Sequence, residues 1–223
     1  MENNVNSSKV YTLYYAFFLI PLMITIFGVM FFFMFKVLTY ETSLPEDYLT
    51  DIQIGSATKR WQAAYELSKL LSNPERVPTD AGFKNKMISI YEHSIHDNPM
   101  VRTYMALAMG RTGQQEYGPI LMEGMNDEDM ESRLAAIKAL GLLGHVPAIN
   151  GIQKFTAENS SNAERLAATI ALGNIGDKSI IPILQKLLDD EEPNIRWDAA
   201  IALAKLEDPS GVQVIVNLLD RSY

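Results

Sequence analysis

A twelve-residue string, RLAAIKALGLLG from Arg133 to Gly144, returns as RLAATIALGNIG from Arg165 and in looser form as RWDAAIALAKLE from Arg196. Two weaker copies stand upstream in the same register, RTYMALAMGRTG from Arg102 and RWQAAYELSKLL from Arg60. The leading arginines are separated by 42, 31, 32 and 31 residues. A fixed period of this size leaves a chain few options. Each copy is one supersecondary unit that cannot bury its apolar face alone, so the copies must stack.

Counted from each arginine, the third position reads Ala63, Met105, Ala136, Ala168 and Ala199, and the seventh reads Leu67, Met109, Leu140, Leu172 and Leu203. Offsets 3, 7 and 10 share one stripe of an α-helix, so each unit opens with a helix whose apolar face is narrow and rich in alanine. Small side chains allow close approach of a neighbour. Glycine recurs at offset 8 (Gly110, Gly141, Gly173) and offset 11 (Gly113, Gly144, Gly176). The second set suits a left-handed helix C-cap. A second helix follows, clearest in SIIPILQKLLDD from Ser179 and repeated over 117–125, 147–155 and 212–219, with Pro119, Pro147 and Pro182 near the starts. The expected fold is all-α, a solenoid of about five antiparallel helical pairs.

The pattern of arginine, spaced alanines, Ala-Leu-Gly and a capping glycine, with an acidic lead-in such as Asp190 to Arg196, resembles the short HEAT-like repeat of phycobilisome lyase subunits and many bacterial scaffolds. The resemblance covers roughly residues 54–223. It implies the solenoid, and it carries an alternative function, a bilin-lyase-like enzyme subunit.

The run from Val10 to Phe35 holds 26 residues without a charged side chain. At ~1.5 Å per residue it is about 39 Å long, enough for a hydrocarbon core of ~30 Å with some tilt. Tyr11, Tyr14, Tyr15 and Tyr40 stand where interfacial aromatics belong. A cleaved signal is disfavoured by the length of the run and the lack of a small-residue cleavage site, and a buried core helix by the lack of a polar face. The reading is a single membrane-spanning helix over 10–38 after a polar tail, 1–9. Pro21 bends it, and Pro21 with Gly28 hints at packing on another membrane helix. Lys9 and Lys36 balance across the span, while Lys59 and Arg60 tilt the repeats toward the cytoplasm, at an inner membrane.

Residues 39–54 form a connector, with Ser43 as N-cap, Pro45, Glu46 and Asp47 in the first turn, and Tyr48, Leu49 and Ile52 covering the start of the stack. The solenoid occupies 55–223, in units of about 55–96, 97–126, 127–157, 158–189 and 190–223. The first unit is longer by a loop, Ser72 to Gly82, which is a surface insertion or a partner contact. Its return helix turns Phe83, Met87, Ile90, Tyr91 and Ile95 inward.

Composition narrows the chemistry. There is no cysteine, which excludes disulfides, thiolate metal sites and thiol nucleophiles. A net charge of −8 argues against a nucleic-acid surface. His93 and His96 beside Glu92 and Asp97 are the one metal-like grouping; lacking a third ligand it reads as a helix terminus, and His145 stands alone. No phosphate loop, nucleophile elbow or zinc-protease motif occurs. The reading assigns no catalytic, cofactor or metal residue and predicts a chain that is not an enzyme.

Arg60, Arg102, Arg133, Arg165 and Arg196 read as a structural ladder bridging to acids such as Asp97, Asp127 or Asp190. Acidic residues gather at the turns between units: Glu123, Asp127, Glu128, Asp129 and Glu131; Glu158; and Asp189, Asp190, Glu191 and Glu192. They cap and solvate helices, or steer a basic segment of a partner. Trp61 and Trp197 are core or contact anchors. The function expected first is a membrane-tethered interaction scaffold, an accessory subunit of an inner-membrane complex such as a transporter. Its partners are an integral membrane protein and the bilayer, and self-association through the span and the open last groove is a further possibility.

Overall fold

The computed structural model describes residues 12–38, 44–94 and 98–219, in two units that divide at Ser43. Lys9, Tyr11, Tyr40, Ser43, Ile95, His96 and Asp97 lie outside the described residues. The first unit holds α1, Ile20–Leu38, entered through a π-helical turn, Tyr15–Leu19. In that turn the Ile20 N–H reaches back to the Tyr15 carbonyl, an i→i−5 bond just ahead of Pro21. Thr25 donates to the Pro21 carbonyl at 2.9 Å. The most apolar 18 residues within Thr12–Val37 have mean hydropathy 2.5 and no buried part, and the 26-residue stretch is long and apolar enough to cross a membrane.

The second unit is all-helical among its described residues. It begins with α2, Pro45–Ile54, where Leu44 holds the N-cap position, its N–H bonded to Asp47 at 2.9 Å. Five helical pairs follow. Their first helices are α3 (Ala57–Leu70), α5 (Pro99–Arg111), α7 (Met130–Leu143), α9 (Asn162–Ile175) and α11 (Pro193–Lys205). The return helices are α4 (Ala81–His93), α6 (Gly118–Gly124), α8 (Ile149–Gln153), α10 (Ile181–Leu187) and α12 (Val212–Leu219). First helices pack in chain order, α3 on α5 through α9 on α11, and α2 covers α3 at the start. Return helices α4, α6, α8 and α10 lie against the first helix of the next pair, forming a second layer.

The capping chemistry explains the helix starts. Ser56, Asp80, Asn98, Asp129 and Ser161 each accept a backbone N–H from the first turn they precede. At Ser161 the bond is reciprocal, with Glu164 reaching back to the cap. Three helices end at glycine with positive φ, or just before it: Gly113, Gly144 and Gly176. In the last unit the same position is Glu207, at φ 63°.

The offset-3 and offset-7 residues are buried in all five units, Leu67, Met105, Met109, Ala136, Leu140, Ala168, Leu172, Ala199 and Leu203 completely. Glycines at offset 8 are the points of closest approach. A β-carbon on Gly110 would collide with Ala139, one on Gly141 with Ala171, and one on Gly173 with Ala202, each alanine lying at offset 6 of the next unit. Removing one methyl group lets successive helices touch backbone to backbone.

Two details differ from the sequence reading. The return helices α6, α8, α10 and α12 begin as 3-10 turns, while α4 starts directly from its Asp80 cap, and α8 is cut to five residues between two such turns, Val146–Ala148 and Lys154–Thr156. Asn150 and Gly151 within it are poor helix formers. The inserted loop gives up Ala81 and Gly82 to α4, and it is tied down: Gln114 donates to the Pro78 carbonyl at 2.8 Å.

Candidate functional site

The turns between units gather the arginines and acids into one line. Arg102 pairs with Asp127 at 2.7 Å, with side chains 9% and 7% exposed, and donates to the Ser94 carbonyl at 3.0 Å. Arg133 donates to Glu164 from Nε and Nη2 at 2.9 and 2.7 Å and to the Asp127 carbonyl at 2.6 Å. Arg165 donates to Asp190 at 3.0 Å, and Arg196 to the Asp190 and Glu191 carbonyls at 2.8 and 3.0 Å. Arg60 donates to the Ile52 carbonyl at 2.6 Å. The guanidinium groups of Arg60, Arg102, Arg133 and Arg196 therefore close the turn before their own helix, and those of Arg102, Arg133 and Arg165 reach an acid of the following unit. Glu164 is held below the usual carboxylate range, first by its bond to Ser161 and then by Arg133.

The acids divide into two kinds. Asp127 and Asp190 are taken up by arginine, Asp129 caps α7 through Ser132, and Glu192 accepts from Asn162. Glu128, Glu131 and Glu191 are exposed. Trp61 is half-buried against the core and Trp197 is half-buried. Around Gly28, on the lone helix, a β-carbon would find open space. His93 bonds its own helix at the Ser89 carbonyl, 2.7 Å. His145 is buried and bonded to Gln115 at 2.8 Å, burial pushes its pKa down, and Gly118 leaves room for its ring. Among the described residues no group of three or more His, Asp or Glu side chains could hold a metal.

Two grooves open between return helices in the same register, two units apart. The larger, about 920 Å³, is walled by Pro182, Ile183 and Leu187, with Arg165 and Lys186 beside them and Glu158, Asp189 and Glu191 at the rim. The Arg165 Nε–H is buried there without a partner among the described residues. The smaller, about 350 Å³, is bounded by Tyr91, Ile120 and Gly124, with Arg102 and Asp127 beneath and Glu92, Glu123 and Asn126 around it.

Sequence reasoning placed Tyr91 inward and did not single out this cavity. A signal was present in the repeat register. The offset that holds Phe155, Leu187 and Leu218 in later units is Gly124 here. The space so freed takes the Tyr91 hydroxyl, which a β-carbon on Gly124 would approach to 2.2 Å.

A family profile described as HEAT repeats matches residues 86–161 and 149–223. An uncharacterized phycocyanin operon protein of Pseudanabaena tenuis is 24% identical over 136 residues, 58% of this chain and 32% of that protein. Deoxyhypusine hydroxylase of Schizosaccharomyces pombe is 28% identical over 118 residues, 52% of this chain and 35% of the enzyme. The chain thus spans about a third of the length of these curated relatives. Among solved structures, the complex of CpcE and CpcF of phycocyanin lyase from Nostoc sp. PCC7120 superposes with a TM-score of 0.65 at 21% identity, over 81% of this chain and 72% of that one. These matches correct the expectation of a chain that is not an enzyme. Sequence similarity reaches a hydroxylase, and the fold is shared with a lyase. A helical repeat advertises its packing at every period, while a groove between return helices leaves no string to read, so the lack of a catalytic motif does not bear on the question.

Proposed function

The chain belongs to the HEAT-repeat family, and from that premise we propose that it acts as a bilin-lyase-like subunit, its larger groove holding an open-chain tetrapyrrole and its return helices meeting a polypeptide client. The observation that carries this reading is the groove at Arg165. An apolar wall of Pro182, Ile183 and Leu187 suits a conjugated chain of pyrrole rings. Lys186 and the unpartnered Arg165 Nε–H supply donors for its carboxylates. The volume, about 920 Å³, lies within the range of small-molecule sites. The fold shared with phycocyanin lyase subunits supports the choice of ligand class. This reading takes precedence over a scaffold without chemistry.

The test is a titration of the full chain, in mild detergent, with biliverdin as the probe. A saturable change in the visible bands is expected, and it should weaken in Ile183→Glu and Lys186→Glu. No saturable change in the wild-type chain would end the reading.

The apolar helix favours a second element. We place Thr12–Val37 in a bilayer, with the solenoid on the cytoplasmic side on the strength of Lys59 and Arg60. The chain should then stay with membranes through alkaline extraction, and protease should digest the repeats in inverted vesicles and spare them in intact spheroplasts. Release into the soluble fraction, or the opposite protection pattern, would refute that placement.

A further inference from the structure

The smaller groove contains a polar group that nothing in the fold requires. Tyr91 is 6% exposed, and its hydroxyl oxygen has no hydrogen-bond partner among the described residues. Burying an unpaired hydroxyl is unfavourable, and a ligand atom that bonds it recovers the loss. Gly124 opens the room into which the hydroxyl points, at an offset that the later units fill with Phe155, Leu187 and Leu218. Around that room three carboxylates, Glu92, Glu123 and Asp127, face one guanidinium, Arg102, which Asp127 already neutralises. Glu92 and Glu123 are exposed, so the surplus negative charge stands at the mouth. The walls below it are apolar: the Tyr91 ring, Ile120 and the bare Gly124 backbone.

An apolar shaft with an acidic mouth and a buried oxygen acceptor matches a cation carried on an aliphatic stem. We propose that this cavity takes a lysine side chain of an extended basic segment in a partner polypeptide. The stem lies on Ile120 and Gly124. The ammonium donates to the Tyr91 hydroxyl oxygen and is balanced by Glu123 and Glu92. A polypeptide is the occupant because the cavity opens along the row of return helices, where the second groove repeats the same offsets 63 residues later, Ile120 by Ile183 and Asp127 by Asp190. The chain's net charge of −8 draws such a segment in. The inference rests on the reading that the return helices meet a polypeptide client, and it adds the chemistry of that client.

The experiment uses the full chain in detergent and a fluorescein-labelled octapeptide alternating lysine and serine, read by fluorescence anisotropy. Its counterparts carry acetyl-lysine, or are replaced by free cadaverine as competitor. Expected results are binding of the lysine peptide, a loss of roughly tenfold or more with acetyl-lysine, and a similar loss in Tyr91→Phe and Glu123→Gln. Glu66→Gln, which removes one distant negative charge, should bind as the wild type does. Tyr91→Phe should melt no lower than the wild type, which separates a binding role from a structural one. Equal affinity for lysine and acetyl-lysine peptides would overturn the proposal, as would wild-type affinity in both Tyr91→Phe and Glu123→Gln. Complete displacement by cadaverine at matched amine concentration would also overturn it, since a free amine would then be the occupant. Peptide binding without any biliverdin response would leave this cavity standing and remove the lyase reading; a biliverdin response without peptide binding would do the reverse.

Discussion

Gly141 on α7 meets Ala171 on α9 so closely that a β-carbon on the glycine would lie 2.6 Å from the alanine's Cα. The obstacle is backbone, which cannot swing aside as a flexible side chain would. Gly141→Ala should therefore destabilise the solenoid by about 1–3 kcal/mol through overpacking, despite the helix propensity that alanine adds. A lowered thermal midpoint checks it. An unchanged or raised midpoint would mean that the helices are spaced more widely than described.

Glu207 holds the left-handed conformation that Gly113, Gly144 and Gly176 hold in earlier units, at φ 63°. A side chain there strains the backbone by about 1–2 kcal/mol, and glycine gives back part of that gain through a more flexible unfolded chain. Glu207→Gly should stabilise by about 0.5–1 kcal/mol. Urea unfolding at constant m-value is the measurement.

Asp127 stands between units as the buried partner of Arg102, whereas Glu66 pairs with Lys69 in the open, both side chains about half exposed. Asp127→Asn removes the buried carboxylate that pairs with Arg102 and should cost about 3–5 kcal/mol. Glu66→Gln should cost less than about 0.5 kcal/mol. If the two variants lost equal stability in chemical denaturation, burial of the Arg102 pair would have been misread.

Burial pushes the Tyr91 phenol up from 10.0 to about 12, with the nearby Asp127 adding to the rise and Arg102 opposing it. In the folded protein the phenol keeps its proton where the unfolded chain has lost it. Its share of stability is thus complete below pH 10 and disappears as pH climbs through about 12, a loss of about 2–3 kcal/mol. Tyr91→Phe has no proton to lose, so its unfolding free energy should fall less steeply over that window. Parallel curves for the two proteins would contradict the assignment.

The sequence made the stack legible because stacking repeats its demands. Arginine, alanine, leucine and glycine return at fixed offsets wherever one helix must lie on the next, and the offset-11 glycines could be assigned to C-caps from spacing alone. The role of the offset-8 glycines needed coordinates, since their partner, an alanine one unit later, is invisible within a single helix. The grooves were harder still. Tyr91 reads as one more inward aromatic in its own helix, and only the gap at Gly124, compared against Phe155, Leu187 and Leu218, betrays a void. The acidic edge was visible as composition, yet which carboxylates remain free was not: Asp127 and Asp190 are consumed by arginine, while Glu128 and Glu191 are left to solvent.

The glycine-to-alanine joints have a consequence for how such a chain can vary. Every interior unit presents the same socket on one side and the same plug on the other, so the fit at each seam depends on its two immediate neighbours and nothing beyond them. Exchange of a whole period should accordingly leave the flanking seams able to mate, and the turns absorb small changes of length: the step from Arg133 to Arg165 is one residue longer than its neighbours, yet Gly141 and Gly173 still meet Ala171 and Ala202.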